Sequence, residues 1–378
     1  MKKILFVTTR NPFSGRYSGD VIRSLKIINL LKKKFELHII CLKDKSEKNN
    51  EKNLISFNYP NLFLKFIYCL ISFFKFQPLQ FGLFFSRDLK IYIEDNADKY
   101  DYLFFYHIRS SQYLPKNYYG KTIIEMGDLY SENYYQTYEY LNFLNPLKFI
   151  YYLESYLVKK IENKILNDFD KIILFSKKEA DRIDKKFKNK IIQINESIDQ
   201  IKNKYVFSKD NFRILFVGNL NYLPNLLACK YFIKNIFPKL KLEFPLIKFC
   251  MIGSINKFNR FFLKNNSSIE TLGAKKDLSK YIKNSICGLA NLEIATGVQG
   301  KVLTYMSWGL PVLCSKKVAQ NIGLNVLSYN NDKDLIKKFS NLKTNKQKCN
   351  QLSKNSLKFS KSLNWKKVGL KYLKLFNF

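Results

Sequence analysis

Residues 1–35, MKKILFVTTRNPFSGRYSGDVIRSLKIINLLKKKF, combine a short apolar run, a loop containing Pro and Gly, and a longer amphipathic segment. The run KILFVTT has the length and composition of a buried strand. In the amphipathic segment, apolar residues recur at the spacing of one helix face, which predicts a core-facing helix. Those residues are Val21, Ile22, Leu25, Ile28 and Leu31. The chain therefore opens with a strand-loop-helix unit.

The same order recurs along the chain and begins afresh at RILFVGNL, residues 213–220. Further strand patterns alternate with helical ones in both halves. They are FELHIICL (35–42), DYLFFY (101–106), KTIIE (121–125) and DKIILFS (170–176), then LIKFCMIG (246–253), SSIETLG (267–273), ICGLANL (286–292) and LPVLCS (310–315). Strands that alternate with helices favour a parallel sheet covered on both faces.

A polar segment, 200–212, separates the two halves of the chain. We therefore predict an α/β fold of two Rossmann-like domains that face a central cleft. The first domain would span 1–200 and the second 205–360. The amphipathic end SLNWKKVGLKYLKLF predicts a helix within 361–378 that packs back toward the first domain.

Two other helical patterns bear on the surface of the protein. LFLKFIYCLISFF, residues 62–74, is too short to span a bilayer as a helix. It suits a helix lying in a membrane interface, and it equally suits a buried core helix. The segment 142–168 predicts one long helix, whose acids between Glu154 and Glu162 we expect to be surface partners of nearby lysines.

Composition sets limits on the partners and the compartment. The chain of 378 residues carries 65 Lys+Arg against 30 Asp+Glu, a formal net charge of +35. Such a charge suits nucleic acid, an anionic membrane surface or phosphorylated small molecules, although lysines spread over the whole chain also suit a solvated surface. The seven cysteines form no C-x-x-C pair, and MKKILFVTT turns polar at Thr8, too soon for a signal peptide. We expect a cytoplasmic protein with reduced core cysteines.

A lysine at the start of a helix marks the first candidate site. ATGVQGKVLTYM, residues 295–306, places Gly297 and Gly300 before Lys301, where a cation is unfavourable for the helix itself. A bound anion would reverse that effect, so the loop is typical of a phosphate site; the alternative is a solvated lysine. PFSGRYSGD (12–20) offers a second, weaker candidate through Gly15 and Gly19, although a plain turn fits equally.

Six segments, in order, resemble family-4 glycosyltransferases of the two-Rossmann GT-B fold. GVQGKVLTYMSWGLPVL (297–313) is similar to the donor-binding segment of that family. The others are FYHIRSSQYL (105–114), IIEMGDLYSENY (123–134), INESID (194–199), LFVGNLNYLPNLLACKYFIKNIFPKL (215–240) and FSKSLNWKKV (359–368). The likeness covers nearly the whole chain, and the order of the segments makes it specific.

The resemblance implies a retaining glycosyltransferase that needs no metal and no cofactor. A nucleotide-diphosphate sugar would bind mainly to the second domain, and a glycan or lipid-linked acceptor to the first, in cell-envelope polysaccharide synthesis. Lys301 would meet the diphosphate, with Asp128 and His107 as further catalytic candidates and Arg109 and Ser131 on the acceptor side. The implied donor-binding residues are Gly15, Gly19, Asn219, Asn225, Glu293, Thr296, Gly297, Val298, Gln299, Gly300 and Thr304.

Two departures from the family pattern leave alternatives open. Thr296 and Thr304 stand where the family often has glutamates, and Asn219 and Pro224 stand where it has Arg and Lys. The chain could therefore be a degenerate GT-B scaffold without transfer activity. A basic nucleic-acid-binding protein is a further alternative, but the lysines are not clustered and no nucleic-acid partner is expected. The expected location is cytoplasmic, with peripheral binding to the inner face of an anionic membrane as an option.

Overall fold

The computed structural model contains two compact units. The first unit is formed by Met1–Asn195 with Gly369–Phe378, and the second by Glu196–Val368. The boundary predicted from the sequence lay between 200 and 205, and residue 200 is outside the described residues. The described ranges are 1–15, 18–47, 51–199, 201, 204–263, 266–323 and 325–376.

Parallel strands form one sheet in the described part of the first unit. They are β1 (Lys3–Thr8), β2 (Glu36–Lys43), β3 (Leu54–Asn58), β4 (Tyr102–Tyr106), β5 (Lys121–Gly127), β6 (Lys171–Leu174) and β7 (Ile191–Gln193). Their order is β3-β2-β1-β4-β5-β6-β7. Every residue of β1 after Lys3 is buried, which explains the unbroken apolar run at the start of the chain.

The second unit repeats this arrangement. Its described strands are β8 (Arg213–Val217), β9 (Lys248–Ile252), β10 (Ile269–Leu272), β11 (Ser285–Ala290), β12 (Val312–Ser315) and β13 (Leu327–Tyr329). They lie parallel in the order β10-β9-β8-β11-β12-β13. In both sheets the order reverses beside the first strand, as in Rossmann folds, and ligands bind beyond the strand ends at such reversals. The predicted pair of Rossmann-like α/β domains is confirmed.

Helices connect the strands. In the first unit they are α1 (Gly19–Leu31), α2 (Leu62–Phe74), α3 (Leu79–Leu83), α4 (Arg87–Asn96), α5 (Tyr130–Tyr140), α6 (Leu147–Asp168) and α7 (Lys177–Arg182). In the second unit they are α8 (Leu223–Tyr231), α9 (Phe237–Glu243), α10 (Lys257–Phe262), α11 (Ser279–Lys283), α12 (Gly300–Ser307), α13 (Lys316–Ala319), α14 (Asp332–Thr344) and α15 (Lys346–Ser362). The last helix is α16 (Trp365–Lys374). Among the described residues, no helix is both long enough and apolar enough to cross a membrane.

The buried face of α1 differs from the predicted stripe. Ile22 and Leu25 are only half-buried, whereas the charged Arg23 is almost completely buried. Arg23 Nε donates to Glu125 Oε1 of β5 at 2.6 Å. Its guanidinium also lies 3.9 Å from the centre of the Phe175 ring. The ion pair and the ring make burial of this arginine tolerable, and a count of apolar residues could not detect either partner.

The same ion pair anchors the C-terminal segment in the first unit. The Tyr372 hydroxyl accepts from Arg23 Nη2 at 2.7 Å and donates to Glu125. Phe376 accepts from the Tyr102 hydroxyl through its carbonyl at 2.8 Å, and its ring lies 4.8 Å from that of Phe35. These contacts explain why the last residues of the chain belong with the first unit.

Two acids of α6, Glu154 and Glu162, are buried and not at the surface as expected, although Glu162 does lie 3.9 Å from Lys159 Nζ. The helix begins at Leu147 and not at 142. Glu154 and Glu162 are 5% and 2% exposed, because each receives hydrogen bonds from another element. The Leu79 amide donates to Glu154. The Ser131 amide and hydroxyl donate to Glu162 at 3.0 and 2.6 Å. Burial raises the pKa of Glu154 to about 7.

The segment 62–74 is a helix, and the buried core alternative is wrong. All residues of α2 are described, and Ser72 is the only buried one. Phe63, Phe66 and Phe74 are 71%, 63% and 74% exposed. The apolar character of α2 therefore does not serve the core of the unit.

Candidate functional site

The loop before α12 has the backbone expected of an anion site. Gly297 has φ +58°, a left-handed conformation that glycine adopts without strain. Gln299 Nε2 donates to the Thr296 carbonyl at 2.8 Å and closes the turn. Gln299 precedes the helix with an extended backbone and makes no side-chain capping bond. The first amides of α12 thus have no side-chain acceptor from Gln299, which leaves the helix start suited to an external anion.

Lys301 lies in the first turn of α12 and is half-buried. Its Nζ donates to Asn225 Oδ1 at 2.5 Å and lies 4.7 Å from the centre of the Phe216 ring. Burial lowers the pKa of Lys301 from its ordinary value to about 7. Within the described residues, no carboxylate is bonded to this ammonium group, and the neutral amide of Asn225 only partly replaces its hydration.

Asn219 and Asn225 belong to the same cluster. Asn225, in the first turn of α8, donates through Nδ2 to the Asn219 carbonyl at 2.8 Å. This bond orients the Asn225 amide, so that its oxygen faces Lys301. The cluster formed by Asn219, Asn225 and Lys301 brings together two distant segments, since Asn225 and Lys301 are 76 residues apart in the chain.

Two glycines that the sequence did not single out let the loops after β8 and β9 approach each other. A Cβ on Gly218 would lie 2.9 Å from Asn225 Nδ2 and 3.3 Å from Lys301 Cε. A Cβ on Gly253 would lie 1.8 Å from the Gly218 carbonyl oxygen. A larger residue at Gly218 would displace the Asn225–Lys301 pair, and one at Gly253 would displace the backbone of Gly218, so the close approach of the two loops requires both glycines.

The residues that depart from the family pattern lie around the same helix. The Thr304 hydroxyl donates to the Gly300 carbonyl at 3.0 Å, one turn back in α12. Glu293 is exposed, and its carbonyl accepts from Lys317 Nζ at 2.7 Å. Val298 packs against the core of the second unit. Glu196 was missed: its Oε2 lies 3.5 Å from where a Cβ on Gly300 would be, which places a carboxylate beside the helix start.

A small pocket in the first unit holds the second group of candidates. It lies at the ends of β1 and β4 and at the start of α1, and it includes His107 and Arg109 but neither Gly15 nor Gly19. Its lining residues are Thr8, Thr9, Arg10, Asp20, Val21, Ser24, Tyr106, His107 and Arg109. Arg10 forms an ion pair with Asp20. Arg16 and Tyr17 of the loop PFSGRYSGD are outside the described residues.

His107 has a strained backbone, with φ +75° and ψ 146°. Its amide donates to the Glu125 carbonyl at 2.8 Å, and its ring lies 4.6 Å from that of Tyr130. Burial, with the guanidinium groups of Arg109 and Arg10, holds the pKa of His107 well below its ordinary range. The imidazole is therefore neutral near pH 7. This backbone region is almost exclusive to glycine, and such strain recurs at functional sites.

The other first-unit candidates have structural contacts. Arg109 Nε donates to Gln80 Oε1 at 3.1 Å, and its guanidinium lies 4.4 Å from the centre of the Phe84 ring. The Ser131 hydroxyl is bonded to Glu162, as described above, and Ser131 is 5% exposed. Asp128 is half-buried and follows Gly127, which has φ +82°. Arg109 and His107 share the pocket, whereas Asp128 and Ser131 do not line it.

Residues 211–345 match the family model described as glycosyl transferases group 1. A 44.6 kDa protein in the cps region of Klebsiella pneumoniae is 27% identical over 299 residues, 76% of this chain and 71% of that protein. The matched segment 211–345 contains the whole Asn219, Asn225 and Lys301 cluster. The cluster therefore lies in the part of the chain that is similar to the glycosyl transferases of group 1.

Solved structures agree with the fold of the whole chain. HepE from Anabaena, crystallised with UDP and glucose, is 12% identical with a TM-score of 0.66, over 100% of both chains. WaaG, a glycosyltransferase involved in lipopolysaccharide biosynthesis, is 12% identical with a TM-score of 0.63, over 98% of this chain and 99% of that one. At these identities the likeness concerns the fold, and it supports the predicted GT-B class.

Proposed function

We propose that the protein is a retaining glycosyltransferase that moves a sugar from a nucleotide-diphosphate donor to a glycan or lipid-linked acceptor in cell-envelope polysaccharide synthesis. The observation that carries the proposal is the position of Lys301. Lys301 lies at the start of a helix, and its ammonium group donates to Asn225. The residues around it match the glycosyl transferases group 1 model. HepE was crystallised with UDP and glucose, and WaaG is involved in lipopolysaccharide biosynthesis, which supports this substrate class.

In this mechanism the diphosphate is the leaving group. Lys301 and the amides at the start of α12 stabilise the negative charge that develops on it as the sugar departs. These groups supply the charge that a metal ion would otherwise supply, so transfer should persist in EDTA. His107, neutral and buried, contributes as a hydrogen-bonding group rather than as an acid near pH 7.

The direct test is a transfer assay with a panel of nucleotide sugars and membrane-derived acceptors. NMR of the product should show that the anomeric configuration of the donor is retained. Lys301→Met keeps the aliphatic stem and should lower transfer roughly ten- to a hundred-fold, the value of one charge-assisted contact of about 1.5–3 kcal/mol. Lys346→Met, an exposed lysine that also begins a helix, is the matched control. Equal activity of both variants would refute the role of Lys301.

A degenerate scaffold is the second candidate, because Thr304 donates to its own helix and no acid occupies its position. This alternative predicts nucleotide binding without turnover. Calorimetry with UDP and GDP, combined with the transfer panel, distinguishes the two candidates. Binding of either nucleotide without transfer or donor hydrolysis across the panel would favour the scaffold.

A further inference from the structure

Helix α2 presents its apolar side chains outward. Phe63, Phe66, Leu70 and Phe73 follow one another at intervals of three and four, so they form a stripe along one side of the helix, and the other exposed residues widen it. The exposed apolar residues of α2 are Leu62, Phe63, Leu64, Phe66, Leu70, Ile71, Phe73 and Phe74. On its inner side, Gly82 of α3 packs so closely that a Cβ there would lie 2.5 Å from the Tyr68 carbonyl oxygen. The tight contact with α3 fixes α2 with its apolar stripe facing solvent.

A second apolar surface lies at the start of α6 in the same unit. Phe143 and Leu144, in the turn before the helix, are 88% and 85% exposed. Phe149, Tyr152 and Tyr156 are also exposed and share one side of α6. The same side continues with the exposed Lys159 and Lys160. Lys160 Nζ lies 6.0 Å from the centre of the Phe76 ring, which connects this surface to the end of α2.

We propose that α2 and residues 143–160 form one docking face for an anionic lipid bilayer, here called the apolar face. Contiguous exposed apolar surface of this extent marks an interaction site rather than an ordinary surface. The aromatic and leucine side chains would enter the headgroup and upper acyl region, while Lys75, Lys159 and Lys160 would meet lipid phosphates.

Charge selects the bilayer over a second copy of the chain. The protein carries a formal net charge of +35, so two copies repel each other, whereas an anionic surface attracts each one. Helix α2 contains Lys65 and no acidic residue. In α6, Glu154 is buried and hydrogen-bonded, whereas Glu162 lies 3.9 Å from Lys159 Nζ and offsets part of that charge, so Lys160 is the stronger contact for a lipid phosphate. Lysines beside a hydrophobic stripe are the composition of interfacial helices.

The test is sedimentation of the full chain with vesicles of phosphatidylcholine alone or mixed with phosphatidylglycerol. We expect binding to the mixed vesicles at low salt, weaker binding at 1 M salt, and little binding to phosphatidylcholine alone. The double variant Phe63→Ser/Phe66→Ser should lower the partition coefficient by about ten-fold or more, since each phenylalanine transfers a large apolar surface. Lys75→Glu/Lys160→Glu should lower it by a similar factor and reduce its salt dependence.

The matched control is Phe258→Ser/Phe261→Ser on α10 of the second unit, where two phenylalanines are 70% and 85% exposed. It should bind vesicles as the unmodified protein does. Equal loss in the control, or no loss in the α2 variant, would overturn the assignment of the face. A dimer in light scattering without lipid that is abolished by Phe63→Ser/Phe66→Ser would point to a second copy instead and would also overturn it.

A spectroscopic variant reports insertion directly. Phe66→Trp places an indole on the exposed stripe, and its emission should shift to shorter wavelength when mixed vesicles are added. An unshifted spectrum in vesicle-bound protein would contradict insertion of α2. This proposal does not depend on sugar transfer, because vesicle binding and UDP binding are measured separately and either can fail alone.

Discussion

Binding of a nucleoside diphosphate should draw a proton onto Lys301. In the free protein the pKa of this lysine is lowered to about 7 by burial, so near pH 8 only about a tenth of the molecules carry the charge. A diphosphate stabilises the charged form and restores a higher pKa. The terminal phosphate is already ionised above pH 7, since its second pKa is about 6. Each UDP bound at pH 8 should therefore take up about 0.9 proton at Lys301.

The affinity for UDP should fall as pH rises, because the charged fraction of Lys301 falls. Between pH 7 and 8.5 the charged fraction of Lys301 falls from about one half to about 3%, so the apparent Kd for UDP should rise by up to about fifteen-fold. Calorimetry in two buffers that differ in ionisation enthalpy measures the proton uptake. Lys301→Met should bind weakly, with no uptake from this group and no such rise in Kd. Wild-type binding without proton uptake at pH 8 would refute the assignment of Lys301 to the diphosphate.

The free protein offers an independent check on the same group. Because the folded pKa of Lys301 lies below its ordinary value of 10.5, the unfolded chain binds more protons between about pH 7 and 10.5. The free energy of unfolding should therefore rise with pH across that window. Lys301→Met should remove this contribution and should be relatively more stable near pH 6. The same pH dependence in the variant would place the titration elsewhere.

Three further predictions concern the first unit. Tyr372→Phe deletes the hydroxyl between Arg23 and Glu125 and should lower the free energy of unfolding by about 1–3 kcal/mol in urea titrations, whereas Tyr119→Phe, at a 95% exposed residue, should not. Burial raises the pKa of Glu154 to about 7, so between pH 4.5 and 7 the folded chain binds more protons than the unfolded chain. The free energy of unfolding should therefore fall as pH rises in that window, and Glu154→Gln should remove that fall in thermal melts. His107→Gly should relieve about 1–3 kcal/mol of backbone strain and raise the melting temperature while lowering transfer.

The fold could be predicted because each half repeats local patterns that extend over many residues. The apolar runs that became β1 and β8 are buried on both faces and need no knowledge of their partners. The loop before α12 could also be predicted from nearby residues. Gly297 and Gly300 indicate a turn before a helix, and in the structure Gly297 has a left-handed φ and the helix begins at Gly300. The start of α6 was misplaced because residues 142–146, with two asparagines and a proline, form a turn that helical spacing alone does not reveal.

The residues that sequence reasoning misjudged are polar groups whose partners are distant in the chain. Arg23 is buried because it pairs with Glu125, which is 102 residues away in the chain. Glu162 is buried because it accepts a hydrogen bond from Ser131, which lies on another helix. The Asn225–Lys301 bond spans 76 residues and depends on Gly218 for space. A periodicity argument assigns charged residues to the surface because an unpaired buried charge is costly, but it cannot test whether a partner exists.

The exposed apolar residues of α2 show the same limit from the other side. The sequence suited both a buried core helix and a helix in a membrane interface, because residue type alone cannot decide whether an apolar face is covered. On the inner side of α2, the backbone at Tyr68 packs against Gly82 and the Tyr68 ring contacts Phe85, so the exposed phenylalanines do not take part in this buried contact. Serine at Phe63 and Phe66 should therefore leave the melting temperature unchanged or raise it. A fall of several degrees would mean that the face contributes to the fold, and the lipid experiment would then have to rely on the lysine variant.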